Sequence, residues 1–67
     1  MALLIVNQSG DMIYNAEKFN RIIREGKSIY GDMNAVLYTN DNAAVVFEAI
    51  IEAAATGATL IRLDKNI

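Results

Sequence analysis

Glu48 and Glu52 stand four residues apart in an alanine-rich stretch, a spacing that puts two carboxylates on one helical face. Such a pair could ligate a divalent cation or do acid–base work. No histidine and no third carboxylate falls at a compatible spacing there, so the pair reads as the polar stripe of an otherwise apolar helix. Ser9-Gly10-Asp11 sets a hydroxyl beside an acid, but a serine nucleophile needs a base and the chain has no histidine. It has no cysteine either, which excludes disulfides, thiolate zinc sites and a cysteine nucleophile. Gly10, Gly26, Gly31 and Gly57 are too far apart to cradle a phosphate. The expectation is a non-enzyme with no catalytic residue, no metal site and no cofactor.

One cluster suggests binding. Lys18, Arg21, Arg24 and Lys27 are four of the six basic residues and fall within ten positions, against Glu17 and Glu25. Tyr14, Tyr30 and Tyr38 could add a stacking platform for bases. Arg21 and Arg24 share a face on a helix but point to opposite faces of a strand, so only a helix makes the patch compact. The formal charge of −2 argues that the chain as a whole binds no polyanion. A small nucleic-acid-associated regulatory protein is therefore the alternative reading.

The elements that would position these residues follow from pattern. Ala2 to Val6 is apolar at every position and predicts a strand covered on both faces. It is too short for a signal-peptide core or a membrane span, and a cytoplasmic location is expected. Asn7 to Asp11 is turn-forming, and Met12-Ile13-Tyr14 completes a hairpin. For Asn15 to Gly26 periodicity alone leans to a helix capped by Asn15, with Ala16, Phe19, Ile22 and Ile23 on one face. The other reading is a strand over Phe19 to Arg24. Lys27 to Tyr30 and Ala35 to Thr39 are β-prone and flank the turn Gly31 to Asn34. A helix is predicted from about Asn42 to Thr56, with Asp41 as N-cap and Gly57 at C′. Ala58 to Leu63 gives a last strand, with Thr59, Ile61 and Leu63 on one face and Leu60 and Arg62 on the other. The tail Asp64 to Ile67 is expected to fray.

The order of Val6-Asn7-Gln8, Gly10-Asp11, Ile13-Tyr14-Asn15, the corner Asn15 to Phe19, Ser28-Ile29-Tyr30-Gly31 and the helix Ala43 to Ala55 resembles small uncharacterised proteins of Gram-positive bacteria and their phages. The resemblance implies that the Asn15 corner is a turn leading into a strand, which makes Phe19 to Arg24 extended. That group has no assigned chemistry, so no functional residue carries over. Ala16 departs from its pattern, where a leucine follows the asparagine.

The resulting expectation is one α+β domain over residues 1–67: an antiparallel β-meander packed on one long helix, with a C-terminal strand. At 54% hydrophobic residues a chain of 67 has more apolar surface than it can bury alone. Its helix shows only Glu48, Glu52 and Thr56 as a polar arc. Both features predict a homo-oligomer, in the first instance a dimer, with Val45, Ile51 and Ala55 at the interface or the backbone edge of an outer strand in that role. The leading functional expectation is thus a non-enzymatic interaction or structural module whose partner is a second copy of itself.

Overall fold

A computed structural model describes residues 3–32 and 35–64. The chain runs β1 (Leu4–Val6), β2 (Ile13–Asn15), a 3-10 turn (Ala16–Lys18), β3 (Ile22–Glu25), β4 (Ser28–Gly31), β5 (Ala35–Thr39), α1 (Ala43–Ala55) and β6 (Leu60–Arg62). The class is the expected α+β, but the strands form two three-stranded sheets. One has the order β2-β1-β6 and the other β3-β4-β5. In the first, β1 pairs antiparallel with β2 and parallel with β6. The second is an antiparallel meander.

Local chemistry explains the turns. Asn7 Oδ1 accepts from the backbone N–H groups of Gly10, Asp11 and Met12 at 3.0, 3.2 and 3.2 Å, while its Nδ2 donates to Asp11 Oδ1. One amide thus satisfies donors that the β1–β2 turn would otherwise leave to water. Replacing Asn7 by alanine is expected to cost about 1–2 kcal/mol in urea unfolding, against a few tenths for the exposed Asn20 side chain.

Asn15 Oδ1 accepts from Glu17 N at 3.0 Å and starts the 3-10 turn. The backbone of Phe19 is extended and the β3 ladder begins at Ile22, so the segment is not an α-helix. Asp32, at φ 54°, accepts from the N–H groups of Asn20 and Arg21 and so fixes the entry to β3. Positions 33 and 34 of the β4–β5 turn and 65–67 of the tail lie outside the described residues. Asp64 does not fray: it is half-buried and bound to Arg62 at 2.8 Å.

The helix spans 13 residues, and Asn42 rather than Asp41 is its N-cap. Asn42 makes no side-chain cap bond, because its Oδ1 accepts from the Tyr38 hydroxyl at 2.6 Å. Asp41 instead pairs with Lys27 at 2.8 Å, both side chains exposed. At the other end the N–H of Ala58 reaches Ala53 O and that of Gly57 reaches Ala54 O, closing a Schellman motif around the positive φ of Gly57.

Ladder register assigns faces. Ile5, Tyr14 and Ile61 are paired neighbours on the inner side of the first sheet; Ile29 and Tyr38 are their counterparts in the second. Ala43, Val46 and Ile50 recur at helical spacing and close the space between them, with Leu3, Leu37 and Leu63 filling its ends. The sheets also meet through Gln8. Its backbone N–H donates to Leu37 O, its Nε2 donates to Thr39 O, and its Oε1 accepts from Thr39 N. No helix among the described residues is long and apolar enough to cross a membrane.

Candidate interaction surface

The accessible surface is 4358 Å², against about 4,200 Å² expected of a compact monomer of this mass. The fold is as closed as an ordinary small domain. Exposed apolar side chains therefore reflect surplus composition and not loose packing.

On α1, Val45 is 57% exposed and Ile51 47%, and Ala55 is exposed as well. Six residues of helix place Val45 and Ile51 about 120° apart, with Glu48 and Glu52 between them. The helix therefore does not gather its three candidates on one strip. Ile51 and Ala55 are one turn apart on one flank, in a row with Ala44 and the half-buried Phe47. Val45 belongs to the other flank. A second copy laid across the middle of this arc would set acid against acid, whereas the Ile51–Ala55 flank offers small residues and close approach.

A second apolar surface escaped the sequence reading. Leu4, Val6, Ile13 and Leu60 share the outer face of the β2-β1-β6 sheet with Asn15 and Arg62, and Ile13 is 64% and Leu60 50% exposed there. Val6 is buried among these neighbours yet stands apart from the main core. The expectation that Ala2 to Val6 is covered on both faces holds in part for its described residues: Leu3 and Ile5 are buried on one side, while on the other Val6 is buried and Leu4 is exposed. The signal was present as an uninterrupted apolar run joined to a parallel partner strand, an arrangement normally covered on two sides.

The basic residues do not converge. Arg21 shares a shallow groove with Ile23, Glu25, Tyr30 and Asp32 on the outer face of the second sheet. Arg24, three residues on, lies across the strand and donates from Nη1 to Gly26 O at 2.8 Å. Lys27 is paired with Asp41, and Lys18 ends the 3-10 turn. The tyrosines do not share a platform either. Tyr38 is buried, Tyr14 packs on Phe19 with ring centroids 5.7 Å apart, and Tyr30 faces the groove with its two acids.

Ser9 and Asp11 do meet, Oγ to Oδ1 at 2.7 Å. That hydroxyl, and then the Asn7 amide, hold the Asp11 carboxyl below its ordinary range. Both partners belong to the turn, so the contact is structural. A carboxyl depressed by folding stabilises the fold above its unfolded pKa, and this is lost as pH falls through the lower folded value. Asp11→Asn is therefore expected to flatten the acid limb of a stability–pH profile below about pH 4 by lowering the neutral plateau, with stability at the acid end little changed. Among the described residues no group of three potential metal ligands is present. Comparison with family models, curated proteins and solved structures finds no match to this chain.

Proposed function

We propose that this protein is a non-enzymatic interaction module that works as a homo-oligomer, in the simplest case a two-fold dimer. The observation that carries the reading is the exposed apolar flank of α1, Ile51 with Ala55 and Ala44 beside it, on a fold otherwise as compact as a monomer. The lack of both cysteine and histidine supports it from the side of chemistry. An antiparallel pair of such helices is self-complementary, and alanines let the backbones approach closely. A helix of 13 residues is about 20 Å long and covers less than the ~800 Å² per partner of a standard stable interface. Dimerisation is accordingly concentration-dependent.

Sedimentation equilibrium across the micromolar range tests this reading. The wild-type protein is expected to pass from monomer toward dimer mass. Ile51→Glu should hold it at monomer mass with an unchanged circular dichroism spectrum, and Val45→Glu should have the smaller effect. A monomer at high micromolar concentration would end the reading.

The nucleic-acid alternative has no observation of its own in its favour, since its arginines lie on opposite faces of β3. A fluorescence titration with single- and double-stranded oligonucleotides at low salt is expected to show no saturable binding. Micromolar affinity lost on replacing Arg21 and Arg24 would reverse that preference.

A further inference from the structure

The two edges of the β3-β4-β5 sheet differ, and ladder parity fixes which backbone groups each presents. Asp32 N donates to Arg21 O, so Arg21, Ile23 and Glu25 turn their backbone groups toward β4. Those of Ile22 and Arg24 point away from the sheet, and among the described residues no turn or side chain meets them. The opposite edge is closed. There the main-chain N–H of Gln8 donates to Leu37 O, and its side-chain amide engages both backbone groups of Thr39. On the outer face of β3, Arg21 and Glu25 stand two residues to either side of Ile23. Both are exposed, and neither has an ion-pair partner among the described residues.

We propose that β3 is the pairing edge for β3 of a second copy, in an antiparallel register centred on Ile23. Charge selects that partner. In this register each Arg21 lies opposite the partner's Glu25, so two opposite-charge cross-strand pairs form at once. Ile22 lies opposite the partner's Arg24, and their outward backbone groups make the hydrogen-bonded pairs. The arginine stem then covers the half-buried Ile22. A parallel arrangement sets Arg21 beside Arg21, and a slip of two residues either way sets a charge against Ile23. Charges that keep unrelated strands off this edge thus admit one partner. This pairing goes beyond the α1 reading, and the two fail separately. That reading falls on mass at micromolar concentration, this one on the backbone amides of β3.

Short strands pair weakly, so the test is made at millimolar concentration, in the Ile51→Glu variant that blocks the α1 flank. Amide hydrogen exchange, read by NMR in dilute and in millimolar solution, reports on Ile22 and Arg24 directly. Both amides are expected to exchange at least twofold more slowly in the concentrated sample, while that of Thr39, already bonded to Gln8, does not change. Arg21→Glu and Glu25→Arg, each added alone, should abolish the difference, because each sets like charges opposite one another. The two together should restore it at unchanged net charge. Glu25→Arg moves the negative net charge toward zero, so loss of protection there does not come from general repulsion. Folded protein without concentration-dependent protection at Ile22 and Arg24 would overturn the proposal. So would protection that survives either single reversal, or a double reversal that does not recover it.

Discussion

Ile29→Ala is expected to leave the protein largely unfolded, or to lower its midpoint of thermal unfolding by more than about 10 °C. Ile29 is fully buried on the central strand of the meander, paired with Arg24 on one side and Tyr38 on the other. Truncating such a side chain costs about 2–5 kcal/mol, from lost transfer energy and the cavity left behind. A domain of this length has a total stability of about 3–10 kcal/mol, so one substitution removes a large share of it. Each kcal/mol moves the midpoint by about 4–8 °C in a domain of this size. Circular dichroism melts at one fixed protein concentration are the measurement, because self-association would itself raise the midpoint. Val36→Ala, on the exposed side of β5, is the matched control and should shift it by no more than a few degrees.

Gly31→Ala should produce the next largest loss, for the opposite reason. A Cβ on Gly31 would come within 2.7 to 2.9 Å of Phe19 Cε2, Cζ and Cε1. The Phe19 ring cannot swing aside freely, since it packs on Tyr14 and against the core. Overpacking of this kind costs about 1–3 kcal/mol. The diagnostic is non-additivity. Leucine at position 19 lacks those three ring atoms, so Gly31→Ala with Phe19→Leu should be more stable in urea than the sum of the single changes predicts. Simple additivity would place the cost of the alanine elsewhere.

Much of this arrangement is legible in the residues, and the failures have identifiable physical causes. The β1–β2 hairpin, the meander and the Gly57 helix end are local, and local turn chemistry or periodicity announces each. Phe19 to Arg24 was nearly balanced between two periods. Extended backbone there, as the resemblance implied, wins because the 3-10 turn that Asn15 caps stops at Lys18 and Asp32, in the turn after β4, reaches across to hold Asn20 and Arg21. The choice between Asp41 and Asn42 as cap was decided by tertiary partners, Lys27 for one and Tyr38 for the other. The division into two sheets depends on pairing between Leu4 and Leu60, which no local window contains. For the candidate interface, apolarity of α1 was readable, but the relation of its flanks to the acids needed the helix phase relative to the core. The exposed outer side of β1 needed the topology.

The placement of β1 between β2 and β6 bears on the order of assembly. Leu4 meets Leu60 across 56 residues of chain (60 − 4), whereas every contact of the meander is made within a short stretch. Loop closure over that span carries an entropic cost that the meander never meets. The β3-β4-β5 unit can thus form early, while the hairpin of β1 and β2 waits with one flank open until residues 60–62 have been synthesised and can dock. For that interval the chain carries its most apolar strand uncovered. Chaperone contact or premature association is therefore most effective at one identifiable stage, before the arrival of β6.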